Sequence, residues 1–186
     1  MIYWHWKNQL SQKDIVYLNK YINKNYDSYE EKTKGAHNKN TGEHLKNSEV
    51  KCIVLSKIQN KINHILNNAM HVAQYEFGYT IFPPLEGDNL LYNSYSSKNL
   101  GSYGYHIDAS ASEKYDIKLT LLMNISQKPY EGGEFRFFHF VETTAKELYE
   151  PGSVILIKSH INHRVTPVTK GERNTLTYFL SGPKFR

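Results

Sequence analysis

The chain has 186 residues, a net charge of +5, 39% hydrophobic residues and a mean hydropathy of −0.62. That size suits one domain, 1–186, with room for a core, and no apolar run is long enough to span a bilayer. The lysines behind the basic charge are scattered among Asn and Tyr, so the charge reads as solvated helix faces or attraction for an anionic cosubstrate or acidic protein, with nucleic acid an unfavoured partner.

In chain order, residues 2–6 alternate around Ile2, Trp4 and Trp6 and predict a short strand. The opening segment lacks the long apolar core and small-residue cleavage site of a signal peptide. Ser11 is the expected N-cap of a helix bearing Ile15, Leu18, Tyr21 and Ile22 at helical spacing. Residues 27–48 are polar, contain Gly35 and Gly42, and read as a long loop and a candidate substrate lid. A second helix is expected from Glu49 to Gln74, with Leu55, Ile58, Ile62, Ile65, Leu66, Ala69 and Ala73 as its buried stripe. Cys52, the single cysteine, falls in this pattern beside Ile53 and is expected as a buried thiol; it excludes an internal disulfide and fits a reducing, cytoplasmic compartment.

After Gly78 the pattern changes to strands: Tyr79–Phe82, Leu90–Tyr95, Tyr103–Ile107, Ile117–Asn124, Glu134–Phe138, Val154–Ile157, His163–Val168 and Asn174–Leu180. Turns at Glu86-Gly87-Asp88, Gly132-Gly133, Pro151-Gly152 and Lys170-Gly171-Glu172 separate them. Residues 1–80 then read as mainly helical support and 81–186 as a sandwich or jelly-roll core, with the helices packed on one sheet. The class is α+β, mainly β.

His106-Ile107-Asp108 on a predicted strand places two ligand types on one face, since side chains at i and i+2 point the same way. With the distant His163 they form the two-histidine, one-carboxylate set that holds Fe(II) and leaves positions open. Arg173, ten residues after His163, suits the far carboxylate of a dicarboxylic cosubstrate through paired hydrogen bonds. His160 also stands near His163 in sequence and reads as a loop residue.

These residues, with Asn93-Ser94-Tyr95, Tyr130-Glu131-Gly132-Gly133-Glu134-Phe135, Pro151-Gly152-Ser153 and the run His163-Arg164-Val165-Thr166-Pro167-Val168-Thr169-Lys170-Gly171-Glu172-Arg173, resemble the Fe(II)/2-oxoglutarate-dependent dioxygenases. Within them the prolyl-hydroxylase group, including PKHD-type hydroxylases, is most similar; the resemblance covers roughly residues 90–182. It implies a double-stranded β-helix, the cupin-like jelly roll. It implies Fe(II) on His106, Asp108 and His163, with 2-oxoglutarate and O2 as cosubstrates and ascorbate as a reductant. The C5 carboxylate of 2-oxoglutarate falls to Arg173 and Thr175, with Tyr95 contacting the same molecule; His163 rather than His160 is the ligand because it opens the family's run. Where animal oxygen-sensing relatives place a second tyrosine, this chain has Leu122.

The implied reaction hydroxylates a C–H bond, most similarly that of a prolyl residue in a peptide or protein, while 2-oxoglutarate becomes succinate and CO2. Related halogenases lack the carboxylate that Asp108 supplies. Nucleic-acid demethylases of this chemistry carry a second arginine where Asn174, Thr175, Leu176 and Thr177 follow Arg173 here. A small-metabolite oxygenase and a non-catalytic module that retains the fold are the other readings. Tyr103 and Arg164 are the candidate substrate residues, and Tyr130–Glu134 is expected to be structural. The Asn-, Lys- and Ile-rich composition fits an AT-rich genome such as that of a phage, whose protein would work in the host cytoplasm.

Overall fold

The computed structural model describes residues 1–28, 45–108 and 114–184. In chain order the elements are β1 (Tyr3–Trp6), α1 (Gln12–Asn25), β2 (Lys46–Asn47), β3 (Glu49–Val54), α2 (Gln59–Tyr75), β4 (Asn89–Ser96), β5 (Ser102–His106), β6 (Asp116–Asn124), β7 (Glu131–Gly132), β8 (Phe135–His139), β9 (Val141–Thr144), β10 (Val154–Lys158), β11 (Asn162–Val165), β12 (Val168–Lys170) and β13 (Glu172–Gly182). Two antiparallel sheets face each other, a major one ordered β1-β10-β6-β13-β4-β3 and a minor one ordered β2-β5-β11-β8-β9; β12 and β7 form a separate pair. This is the jelly-roll arrangement, with both helices on the outer face of the major sheet.

The period-two alternation of the central strands explains why the major sheet is covered on both faces. On β13, Leu176, Tyr178 and Leu180 join Ile15, Leu18, Ile22, Ile62, Ile65 and Ala69 of the helices in one core. The intervening Arg173, Thr175, Thr177 and Phe179 face the space between the sheets. The same switch runs along β10, where Val154 and Leu156 belong to the helix side and Ile155 and Ile157 to the inter-sheet core with Phe135, Phe137 and Val165. Helix α1 begins where expected: the Ser11 side chain accepts a hydrogen bond from the Asp14 backbone N–H. Buried Asn19 ties this helix to the sheet by donating to the carbonyls of Ile15 and Ile125.

The expected helix from Glu49 is corrected. Residues 49–54 form β3, paired with β4 along its whole length, and the helix starts at Gln59. Val50, Ile53 and Val54 are β-branched and shield the β4 edge, so the tertiary ladder overrides the helical spacing. Cys52 is consequently exposed, not buried. Residues 79–82 form no ladder; Pro83 and Pro84 follow them and have no N–H to donate. The strand expected over His163–Val168 breaks at Pro167 into β11 and β12, and β12 leaves the minor sheet to pair with β7. Strands β2 and β9 were not legible as strands. Most of the proposed lid, residues 29–44, lies outside the described residues.

At Gly152, φ is +82° and an added Cβ would run into the Leu10 carbonyl oxygen, while the Gly152 carbonyl accepts from the N–H of both Gln9 and Leu10. Gly152→Ala is therefore expected to lower stability by about 1–3 kcal/mol. Thermal unfolding checks this, and an unchanged midpoint would contradict it.

Candidate metal centre

The two histidines come from neighbouring strands of the minor sheet, where His163 of β11 stands directly opposite His106 of β5. Asp108 follows β5 and is turned inward, its N–H donating to the Ser159 carbonyl at 2.9 Å. His106 Nε2 lies 3.6 Å from Asp108 Oδ1, and His163 Nε2 lies 3.4 Å from Asp108 Oδ2. One ligand atom from each residue lies within 4.8 Å of the others. This meets the donor set expected for Fe(II): two imidazole nitrogens and a carboxylate, with no thiolate.

The ring orientations suit a metal. His106 Nδ1 is 2.9 Å from the Gly104 carbonyl and His163 Nδ1 is 2.8 Å from the Ile161 carbonyl. Carbonyls only accept, so each Nδ1 carries the proton and each Nε2 presents its lone pair to the centre. Burial, reinforced by the neighbouring His163, pulls the His106 pKa down to about 4, keeping that imidazole neutral and ligating at neutral pH. Tyr103 stacks on the His106 ring at 3.6 Å and 16°, and Phe135 packs 5.1 Å from the His163 ring.

Thr120 was not singled out from the sequence. From β6 of the opposite sheet its hydroxyl donates to Asp108 Oδ2 at 2.7 Å, fixing the carboxylate across the gap between the sheets. Thr120→Val keeps the side-chain volume and removes the donor. Roughly tenfold to a hundredfold weaker Fe(II) or Co(II) binding is expected, with Thr120→Ser restoring it. Equal metal affinity in the valine variant would contradict this role.

The three residues open on a cavity of about 80 Å³ that Tyr95, Arg173, Thr175, Leu122, Thr177 and Phe179 also line. Arg173 is only 1% exposed, and its Nη2 finds no hydrogen-bond partner among the described residues. A buried, incompletely paired guanidinium is expensive, so an anion-accepting role fits it better than a structural one. The Tyr95 ring lies 5.3 Å from the guanidinium carbon. Burial pushes the Tyr95 phenol up to about 12, partly offset by Arg173, so it remains a protonated donor. The Gly132-Gly133 turn connects to this wall: a Cβ on Gly133 would crowd the Arg173 Cδ at 3.0 Å. Leu122 lines the cavity where a tyrosine was noted as missing, and the wall there is apolar.

The candidate substrate residues separate. Tyr103 lines the cavity. Arg164 alternates to the outer face of the minor sheet, pairing with Glu142 at 2.7 Å and lying 5.0 Å from the Tyr105 ring. Glu134 and Arg136 complete that outer network. His160 is exposed in the turn before β11 and lies outside the three-residue cluster. Lys46 and Asn93 also line the cavity, joined at 2.8 Å, and neither was assigned from sequence. Lys46 sits in a stretch with no pattern to mark it. Asn93 lies two residues before Tyr95 in the Asn93-Ser94-Tyr95 stretch of β4.

Residues 90–181 match the protein family described as the 2OG-Fe(II) oxygenase superfamily. A PKHD-type hydroxylase of Alteromonas mediterranea is 34% identical over 130 residues, 63% of this chain. The chain spans 53% of that relative's length. A prolyl-4-hydroxylase from Pseudomonas putida superposes with a TM-score of 0.67 at 15% identity, covering 96% of this chain and 91% of that one. The viral collagen prolyl hydroxylase of Paramecium Bursaria Chlorella virus-1, solved as a 2-oxoglutarate complex, gives 0.62 at 18% identity, covering 98% and 97%. At these identities the structural likeness is one of fold.

Proposed function

Since the chain belongs through residues 90–181 to the 2OG-Fe(II) oxygenase superfamily, we propose that it is an Fe(II)- and 2-oxoglutarate-dependent dioxygenase that hydroxylates a prolyl residue of a peptide or protein. The observation that carries the oxygenase reading is the convergence of His106, Asp108 and His163 on a cavity whose wall holds the buried Arg173. The prolyl preference is supported by the relatives, which are PKHD-type and prolyl hydroxylases. His106 Nε2, His163 Nε2 and the Asp108 carboxylate would hold Fe(II), which when bound would supply the redox chemistry for coupling decarboxylation of 2-oxoglutarate to succinate with insertion of one oxygen atom into a C–H bond.

The chain's own residues bind and orient. Arg173 takes the far carboxylate of 2-oxoglutarate, with the Thr175 hydroxyl two residues along the same strand face and the Tyr95 phenol as further donors. Leu122, Phe135 and Val165 supply apolar walls that limit water. Thr120 holds Asp108, and the carbonyls of Gly104 and Ile161 hold the imidazoles. Ascorbate, if needed, serves only as a reductant. Among the described residues no helix is long and apolar enough to cross a membrane.

The test loads the protein with Fe(II) without air, then adds air, 2-oxoglutarate and proline-containing peptides, and reads succinate and peptide mass together. Succinate with one oxygen added at proline is the expected result. Succinate with peptide unchanged would overturn the prolyl assignment and direct the search to nucleic acid, other side chains or metabolites. No succinate from metal-loaded protein would overturn the oxygenase reading in favour of a binding module.

A further inference from the structure

A second hollow, of about 590 Å³, lies on the outer face of the major sheet and falls within the size range of small-molecule sites. Strands β4 and β13 separate it from the metal cavity. Along β13, Arg173 and Thr175 line the metal cavity, and Glu172 and Asn174 line the outer hollow. Along β4, Asn93 and Tyr95 face the first space, and Tyr92, Ser94 and Ser96 the second, as period-two alternation requires. The two spaces share no lining residue.

Three of the polar residues that line the outer hollow are buried: Asn19, Tyr92 and Asn174 are 2%, 3% and 7% exposed. The polar side chains of a simple solvated face would instead stand open to water. Their hydrogen bonds fix which atom is left over. Asn19 Nδ2 donates to two carbonyls, those of Ile15 at 2.9 Å and Ile125 at 2.8 Å, and so must face them. Asn19 Oδ1 therefore points the other way, where it accepts from the Tyr92 hydroxyl at 3.2 Å and from Asn174 Nδ2 at 3.4 Å. That sets the Asn174 amide, and its Oδ1 is the acceptor that finds no partner among the described residues. The Asn174 backbone is pinned as well, its N–H donating to Ser126 Oγ and its carbonyl accepting from the Ile125 N–H, both at 2.9 Å.

We propose that this hollow is a second, non-catalytic ligand site, for a neutral hydroxyl-rich molecule of the saccharide class. A ligand hydroxyl supplies the donor that Asn174 Oδ1 lacks. Ser94, Ser96 and Gln127 also line the hollow, and their hydroxyl and amide groups both donate and accept, as sugar hydroxyls do. Two lysines, Lys98 and Lys128, are balanced by two glutamates, Glu49 and Glu172, so the lining carries no net charge to select an ion. Pro129 is the only aliphatic side chain among the described residues that line it. A hydrocarbon would strip water from the polar groups without replacing their hydrogen bonds. With two strands between the hollow and the metal-site residues, the ligand held here is not the molecule oxidised, and the inference stands apart from the prolyl reading.

The test uses the full chain and reads binding directly, by saturation-transfer NMR titration, because sugars raise the thermal midpoints of proteins without occupying a site. The probes are D-glucose and sucrose, with D-gluconate as a match that keeps the hydroxyls and adds a negative charge. The unaltered protein should bind at least one of the neutral sugars saturably, in the millimolar range, and gluconate more weakly. Ser94→Phe puts a ring into the hollow and should abolish the binding. Asn174→Leu removes the amide at nearly the same volume and should weaken binding about tenfold, the effect of one lost hydrogen bond. Thermal unfolding verifies the fold of both variants, and Ser94→Phe alone decides if Asn174→Leu does not fold. No saturable binding of either sugar by the unaltered protein would overturn the proposal. Equal binding by the unaltered protein and Ser94→Phe would place the sugar elsewhere on the molecule and overturn it too. Tighter binding of gluconate than of glucose would overturn the charge argument and the proposal with it.

Discussion

Asp108→Ala is expected to abolish 2-oxoglutarate turnover. Asp108 is the only carboxylate in the three-residue cluster, so its loss removes both a ligand and the negative charge that would offset a divalent cation. Outer partners of metal ligands already cost roughly tenfold to a hundredfold in affinity or activity when mutated, and loss of a ligand itself should exceed that. The variant should fold. Asp108 lies beyond the end of β5, and its polar contacts among the described residues include Thr120, Ser159 and the two histidines. Removing a half-buried carboxylate takes away a partly desolvated charge, so the metal-free protein should lose little stability. Succinate release, metal content and thermal midpoint measured together separate the outcomes. Undiminished succinate release from a folded variant would contradict the metal assignment.

Arg173→Ala is expected to raise the KM for 2-oxoglutarate and to leave Fe(II) binding intact. Charge-assisted, bidentate hydrogen bonds to a carboxylate in a buried site contribute roughly 2–3 kcal/mol, equivalent to about 30- to 150-fold in affinity. Arg173→Lys keeps the cation and loses the planar fork, so it should fall between the two. The variants also carry a stability signature. In the unaltered protein 2-oxoglutarate should raise the thermal midpoint of the metal-loaded form in proportion to its occupancy, and Arg173→Ala should lose that rise at the same concentration. An unchanged KM would move the cosubstrate clamp to another residue, of which Lys46 at the same cavity is the first to try.

How much of this was legible in the sequence differs by element. The C-terminal strands were, because β6 and β13 are long and, with β10, sit at the centre of a sheet buried on both faces, where the apolar run and its boundaries speak clearly. His106 and Asp108 were expected to share a direction as i and i+2 of one strand, yet β5 ends at His106, and the Asp108 N–H bond to the Ser159 carbonyl is what turns the carboxylate toward the two imidazoles. Residues 49–54 were misread since Leu55, Ile58 and Ile62 continue an apolar spacing that fits a helix, and only pairing with β4 decides otherwise. Thr120 could have been found: it is a polar residue inside the apolar run Leu119–Met123, on the face opposite Leu119 and Leu121. Its bond to Asp108 could not, because it joins two sheets whose facing depends on the whole fold. Arg164 was expected to alternate away from His163, toward solvent or substrate, and it does turn away, to pair with Glu142 on the outer face of the minor sheet.

The most direct test of the account is a titration of the protein with Fe(II) and then 2-oxoglutarate in the absence of air, followed by visible absorption. The account predicts one equivalent of each, and a charge-transfer band that forms only when the 2-oxoacid chelates the bound metal. The band should be lost in Asp108→Ala and should need much more 2-oxoglutarate in Arg173→Ala. Iron that binds without the band at saturating 2-oxoglutarate, or a band that survives unchanged in both variants, would contradict it.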